Sequence, residues 1–314
     1  MYRTGGRDSG RVTVQWLDSS GHTQPLLPRP GNYLAPRLSP DGRRLALTSG
    51  SDIWVYDLPH ATMMRLTFTG GYGNPLWTPD GRYIAFRGTG GIFWIRADGS
   101  GHPQPLIQSK NVQNPSSFSG DGKRLAFVEI NPASGADLWT VPVESNGAGL
   151  TAGRPEVFLQ TPFNERSPAF SPDGRWIAYA SDESGMLQVY VRAFPDQSGK
   201  RQISNQGGAV TAWSRSRPEL FFLNLENQVM VTAYRVKGDR LLADKPRRWS
   251  EKKLANLMPP WAYDVAPDGK RIVAVVPAER PPEQEAQHQV TFLLNFFDEL
   301  RHRVASDSTP GMMR

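Results

Sequence analysis

Hydrophobic and polar residues alternate along this chain with a period of two, in short packets. Val12-Thr13-Val14-Gln15-Trp16-Leu17, Arg44-Leu45-Ala46-Leu47-Thr48 and Asp52-Ile53-Trp54-Val55-Tyr56 are examples. Their β-branched and aromatic content is that of strands. Clusters of Gly, Pro, Asp and Ser separate the packets, and one cluster recurs as a word. It reads Ser39-Pro40-Asp41-Gly42, Thr78-Pro79-Asp80-Gly81, Ser119-Gly120-Asp121-Gly122, Ser171-Pro172-Asp173-Gly174 and Ala266-Pro267-Asp268-Gly269. An eroded sixth copy is Ser214-Arg215-Ser216-Arg217-Pro218. Pro sets φ to about −65° at the first turn position, Asp can accept its own backbone N–H two residues on, and Gly takes the left-handed position. Each word is therefore a hairpin turn. Asp41, Gly42, Asp80, Gly81, Asp121, Gly122, Asp173, Gly174, Asp268 and Gly269 are read as structural turn residues.

Around each word the packets come in sets of four. The first set is Leu34–Ser39, Arg44–Thr48, Asp52–Leu58 and Met64–Phe68. Later sets follow the same plan. The fifth ends on an outer strand near Trp249–Leu254, and the sixth takes Val290–Phe297 as its third strand. The turn aspartates are spaced 39, 41, 52 and 95 residues apart, the last interval spanning two sets. Four short strands per 40–50 residues make a propeller blade, which buries its two faces only by stacking on neighbours around an axis. Trp54, Phe93, Trp139 and Tyr190, at one phase of the third strand, are expected to pack between blades. The fold predicted is an all-β propeller of four-stranded antiparallel blades, in one domain over residues 1–305 with a disordered tail at 306–314. Helix is expected only near Asp298–Val304. The N-terminal packets Val12–Leu17 and Thr23–Leu27 either close blade six or form half of a seventh blade.

Composition narrows this further. Among 314 residues, 30 Gly and 27 Pro exclude a helical protein, and 9 Trp with 14 Phe suit packed sheets. The absence of cysteine excludes disulfides, thiol catalysis and thiolate-ligated metals. No apolar run reaches the roughly 18 residues of a membrane span. The first residues lack a signal-peptide apolar stretch, so the chain as written reads as cytoplasmic or as a piece of something longer. The net charge of +6 is spread mostly over turns. Its densest run, Arg235 to Lys253, is interrupted by Asp239, Asp244 and Glu251 and reads as a solvated edge, so no nucleic acid is expected as a partner.

Taken together, Ser-Pro-Asp-Gly-Arg-x-Leu-Ala, Asp52-Ile53-Trp54-Val55-Tyr56-Asp57-Leu58 and Arg65-Leu66-Thr67 resemble the TolB-like, WD-repeat-like propeller repeat over nearly the whole chain. More narrowly, Val14-Gln15-Trp16-Leu17-Asp18 and Val290-Thr291-Phe292-Leu293-Leu294-Asn295-Phe296-Phe297 look like the propeller that follows the kinase domain in bacterial serine/threonine protein kinases. The kinase's own motifs are missing: no phosphate loop, no His-Arg-Asp and no Asp-Phe-Gly. The resemblance implies an interaction or sensing module, periplasmic if the chain is part of a membrane-anchored kinase.

Direct chemistry is sparse. There is no Gly-x-Ser-x-Gly elbow, and His22, His60, His102, His288 and His302 lack metal-ligand spacing, so neither a metal nor a cofactor is expected. Gly88-Thr89-Gly90-Gly91 joins two strands and reads as a tight loop rather than a phosphate cradle. The expected inner-strand starts, Pro36, Pro75, Ser116, Pro168, Thr211 and Tyr263, are poor in titrating groups. That favours a non-catalytic module binding a protein or peptide over the alternative, a hydrolase or lyase working at the channel mouth. The binding face is placed on the loops opposite the turns, including Gly70–Asn74, Gln108–Asn114, Thr161–Ser167 and Asn205–Gly208. Asn74, Asn114, Asn164, Glu165 and Arg166 are the candidate partner-binding residues, the last three read as an exposed loop.

Overall fold

A computed structural model describes residues 11–255 and 262–278. The chain opens with β1 (Val12–Asp18) and β2 (Thr23–Pro25). Blade one is β3 (Tyr33–Leu38), β4 (Arg44–Ser49), β5 (Asp52–Asp57) and β6 (Thr62–Arg65). Blade two is β7 (Gly73–Trp77), β8 (Tyr83–Gly88), β9 (Gly91–Arg96) and β10 (Gln104–Gln108). Blade three is β11 (Val112–Phe118), β12 (Arg124–Asn131), β13 (Gly135–Asn146), a short β14 (Gly149–Ala152) and β15 (Glu156–Leu159). Blade four is β16 (Glu165–Phe170), β17 (Trp176–Ser181), β18 (Gln188–Ala193) and β19 (Arg201–Gln202). Blade five is β20 (Ala209–Trp213), β21 (Glu219–Leu223), β22 (Gln228–Lys237), β23 (Arg240–Ala243) and β24 (Arg247–Lys253). The chain returns as β25 (Tyr263–Val265) and β26 (Arg271–Pro277), and all pairings are antiparallel. No helix occurs among the described residues.

Closure settles the blade count at six. The last sheet runs β2-β1-β26-β25, so the N-terminal hairpin supplies the outer two strands of the blade whose inner two come from the C-terminal side. The β1–β26 register runs unbroken from Val12↔Pro277 to Asp18↔Arg271. Both edges of β26 are thereby taken, by β1 and β25, which corrects the expectation that Val290–Phe297 is its neighbour. That segment, and the helix expected near Asp298–Val304, lie outside the described residues.

Six apolar clusters hold the ring, one between each pair of neighbouring blades, including the pair that closes it. Leu38, Leu45 and Leu47 of blade one meet Val14, Val273 and Val275 of blade six across the closing interface. Second and third strands present matched pairs on one phase. Phe86 stacks on Phe93, Phe127 on Trp139 and Tyr179 on Tyr190, with centroids 6.4, 6.4 and 5.8 Å apart. Such cross-strand aromatic pairs add to sheet stability beyond the area they bury.

Two third strands overrun their blades. β13 and β22 continue past the sheet and fold back as hairpins with β14 and β23. Both lean on the preceding blade: the Tyr83 hydroxyl donates to the Asn146 carbonyl at 3.0 Å, and Arg175 reaches Asp239 at 3.3 Å. The basic run between Arg235 and Lys253 is threaded with carboxylates, Arg235 to Asp244 at 3.3 Å and Lys253 to Glu226 at 3.3 Å.

At the turns, Gly42, Gly81, Gly122, Gly174 and Gly269 take φ of 69°, 68°, 73°, 70° and 64°. Each preceding Asp accepts the N–H two residues on, as Asp41 does from Arg43 at 3.0 Å. In four blades the Ser or Thr hydroxyl donates to that Asp and accepts the N–H of the residue opening the next strand. Neighbouring turns also touch. A Cβ on Gly42 would stand 3.2 Å from the Pro267 ring, and one on Gly81 or Gly122 would stand 3.6 Å from Pro40 or Pro79. Three of the turns thus pack their Gly against the Pro of the preceding blade's turn.

Candidate functional site

Inner strands line the channel, and their register decides what faces it. Two residues before each turn's Ser, Thr or Ala stand Arg37, Leu76, Ser117, Ala169, Ala212 and Asp264, one per blade. All six line a cavity of about 300 Å³, whose outer rim is Pro40, Pro79, Gly120, Pro172 and Arg215 of the turns. The expectation placed the working channel mouth at the loop end. The cavity drawn from every blade lies at the turn end, where the inner strands finish.

This column of residues also ties the blades together. The Leu38 N–H donates to Asp264 Oδ2 at 2.9 Å, and the Phe170 N–H donates to Ser117 Oγ at 3.1 Å. The Trp77 and Trp213 indoles donate to the Arg37 and Ala169 carbonyls, each at 2.9 Å. Arg37 Nη1 lies 3.4 Å from Asp264 Oδ1, with both side chains about one-tenth exposed. Burial holds the Arg37 guanidinium below its usual pKa, against the pull of Asp264. Upstream, Ala35, Asn74, Ser167 and Val210 take φ between 50° and 57° at bulges in four inner strands. Left-handed non-glycine residues are unfavourable, so they persist only where packing imposes them.

At the loop end, the five candidate partner-binding residues fall in two groups. Asn74, buried, donates through Nδ2 to Asn114 Oδ1 at 2.7 Å, joining blades two and three. Asn164 binds Asp182 through its N–H at 2.8 Å and Nδ2 at 2.9 Å, and its Oδ1 accepts the Ala136 N–H at 3.3 Å. Glu165 opens β16 and has no exposed surface. Its Oε1 accepts from Thr161 at 2.6 Å, while Oε2 is buried without a partner. Burial pushes its carboxyl up to about 7, and the charges of Asp137 and Asp182 add to the shift. Arg166 is half-buried. Residues 164–166 are therefore not the exposed loop the sequence suggested, because the strand begins at Glu165 and turns that side chain inward.

Among what the loop end exposes are large apolar side chains. Among the described residues, eleven large hydrophobic side chains are exposed, and seven stand at this end. Phe68 (70% exposed) and Phe163 lie on outer-to-inner connections, and Met186 and Leu225 (62%) on second-to-third connections. Leu34, Val112 and Ile130 sit at strand ends beside them, Val112 and Ile130 as a cross-strand pair. The Arg65 guanidinium lies 5.1 Å from the Phe68 ring centroid.

Sequence reasoning passed over three of these features. Arg37 and Asp264 sit one residue beyond the inner-strand starts considered, and aligning all six copies on the turn would have shown two charges in a column of small and apolar residues. Arg215 stands in the proline column of the eroded copy, where it reads as the loss of a turn residue rather than the gain of a charge. The exposed apolar residues carry no local signal, because in a strand-rich sequence they look like core.

A six-bladed propeller whose channel carries one buried Arg–Asp pair is the class these elements define. No protein-family model matches the chain. The Tol-Pal system protein TolB of Gluconobacter oxydans is 32% identical, the match taking in 52% of this chain and 48% of the relative. An uncharacterised peptidase of Bacillus subtilis is 29% identical over 50% of this chain and 24% of its own length. The chain thus spans half or less of the length of these curated relatives. A solved TolB-type structure from Agrobacterium tumefaciens superposes over 86% of this chain and 99% of its own, with a TM-score of 0.63 at 18% identity. The chain is a six-bladed β-propeller whose fold is similar to that of this TolB-type structure. No helix among the described residues is long and apolar enough to cross a membrane.

Proposed function

We propose that this propeller is a non-catalytic interaction module that binds a protein or peptide at its loop end, as the sensor or output part of a kinase-like system. The concentration of exposed apolar side chains at that end carries the reading. Exposed apolar area gathered on one face marks interaction sites, whereas scattered single residues do not. Asn74, Asn114, Asn164, Glu165 and Arg166 lie at the same end, and Asn164 ties the connection that carries Phe163 to Asp182. The channel cavity supports binding over hydrolase or lyase chemistry. It is lined by no histidine among the described residues, and its one carboxylate, Asp264, is held by Arg37 and the Leu38 N–H.

The test is a random-peptide selection on the immobilised chain, followed by affinity measurement on variants. Peptides selected on the parent should lose about tenfold or more on Phe68→Ser/Phe163→Ser/Leu225→Ser, since apolar anchors dominate such interfaces. Met63→Ser/Val236→Ser, which removes exposed apolar groups elsewhere, should leave binding intact. Failure to select any peptide, or equal binding to both variants, overturns the reading.

A further inference from the structure

The turn end carries charge that the loop-end reading leaves unused. In the kept turns the residue after Ser, Thr or Ala is Pro or Gly, and in blades one to four it rims the cavity. Blade five places Arg215 there. Its Nη1 points to the Ser39 carbonyl at 3.5 Å, two blades around the ring, so the side chain crosses the mouth. That distance is the outer limit of a hydrogen bond. Among the described residues Arg215 makes no ion pair, and it is exposed. Just inside are Arg37 and Asp264 at 3.4 Å, and Arg37 feels the charge of Arg215. Two guanidiniums therefore face one carboxylate among the described residues lining the cavity. Trp77, Phe118, Phe170 and Trp213 contribute apolar wall, which strengthens charge interactions by excluding water. A volume of about 300 Å³ is at the small end of ligand pockets.

We infer that the turn-end mouth is a binding site for a carboxylate, gripped by the Arg215 fork and backed by the Arg37–Asp264 pair. A guanidinium matches a carboxylate through two parallel N–H bonds, a geometry that a lysine cannot reproduce. Asp264 sets the selectivity. It cancels one of the two positive charges, so the site takes a single carboxylate and disfavours a dense polyanion. The carboxylate comes from a free small acid or from the acidic end of a peptide. This site is at the opposite end of the ring from the proposed partner face, so either can fail without the other.

Isothermal titration of the full chain with succinate, with a tripeptide ending in glutamate, and with the same tripeptide as its glutamine amide tests this. Succinate or the acidic tripeptide should bind saturably and the amide should not. Response to succinate identifies a free acid as sufficient, and response to the tripeptide alone identifies a chain end. Arg215→Pro, which installs the residue of the other turns, and Arg215→Gln should each weaken binding by about tenfold or more, the value of a charged hydrogen-bonded pair. Arg215→Lys should recover part of that loss. Arg217→Ala, removing a neighbouring exposed charge outside the cavity, should change affinity by less than about twofold. No saturable binding of either acid up to about 10 mM overturns the inference. So does binding indifferent to both Arg215 variants, or an equal loss with Arg217→Ala.

Discussion

At the turn end, Gly42, Gly81, Gly122, Gly174 and Gly269 share one backbone conformation, each after an aspartate holding the same N–H. At the loop end of the same blades the third strands start with different chemistry each time. Asp52 accepts from Thr67, Arg65 and the Gly70 N–H at 2.7, 2.7 and 3.2 Å. Gln188 takes the Ser204 hydroxyl and the Gly207 N–H at 2.6 and 3.1 Å, and Gln228 donates to the Glu251 carbonyl at 3.1 Å. The contrast has a physical cause. A left-handed φ admits very few residues, so the turn word repeats. A buried polar group only has to be satisfied, and many partners satisfy it. Loops under the second rule can vary for binding, while a departure from the first rule, as at Arg217, stands out against five intact copies.

The largest effect is expected inside the channel. Asp264→Ala removes the carboxylate that balances Arg37 and the acceptor of the Leu38 N–H, at the interface that closes the ring. Breaking a buried ion pair from one side costs about 3–5 kcal/mol. Urea unfolding should show a loss of that order, whereas no exposed turn carboxylate, such as Asp268, should cost more than about 1 kcal/mol. A loss below that level for Asp264→Ala would show that the inner column does not hold the ring shut.

Next in size is a pH effect confined to the loop end. Glu165 is pushed up to about 7 by burial, against an unfolded value of about 4.3. At the turn end the Ser119 hydroxyl and the Lys123 N–H hold Asp121 below its usual range instead. Between these two values the native chain keeps a proton on Glu165 that the unfolded chain has released. Stability from this group therefore falls as pH rises through that window, by about 3 kcal/mol once pH exceeds 7. Glu165→Gln cannot titrate. Its stability relative to the parent should rise by up to that amount between about pH 4 and pH 8. Parallel stability curves for the two proteins over that range would remove Glu165 as a buried acid.

How much of this was legible follows the same division. The turn word and the period-two packets dictated strands, hairpins and blades, because each rests on local backbone chemistry. The choice between six blades and seven was not legible, since β1 pairs with β26 across the whole length of the chain and no local pattern announces a partner that far away. The β13–β14 and β22–β23 hairpins were missed because Val143–Asn146 and Tyr234–Lys237 merely lengthen strands already expected. Burial of Glu165 was missed because a glutamate beside Asn and Arg reads as solvated, and only the pairing of β16 with β17 turns it inward onto Thr161 and Ser181. The channel charges were readable in principle, as a column across copies rather than as a motif along the chain.

The smallest prediction concerns the eroded turn. Arg217 occupies the glycine position, yet it is absent from the residues with positive φ. The loop keeps the Ser214 N–H on the Glu219 carbonyl at 2.9 Å, as the intact turns do, but reaches it differently. The Glu219 N–H also bonds the Arg217 carbonyl at 2.8 Å, a γ-turn centred on Pro218, whose fixed φ of about −65° suits it. The Arg217 N–H goes to Ser214 Oγ at 3.2 Å. The turn has thus been re-formed without a left-handed residue, so it stores no strain for glycine to relieve. Arg217→Gly should then lower stability by about 0.5–1 kcal/mol, through the added freedom of the unfolded chain. Gly42→Ala should cost more, about 1–2 kcal/mol for the left-handed φ, with the Pro267 ring standing 3.2 Å from the new Cβ. Denaturant unfolding of the two variants side by side checks this. A gain in stability from Arg217→Gly would mean that blade five holds the same strained turn as its neighbours after all.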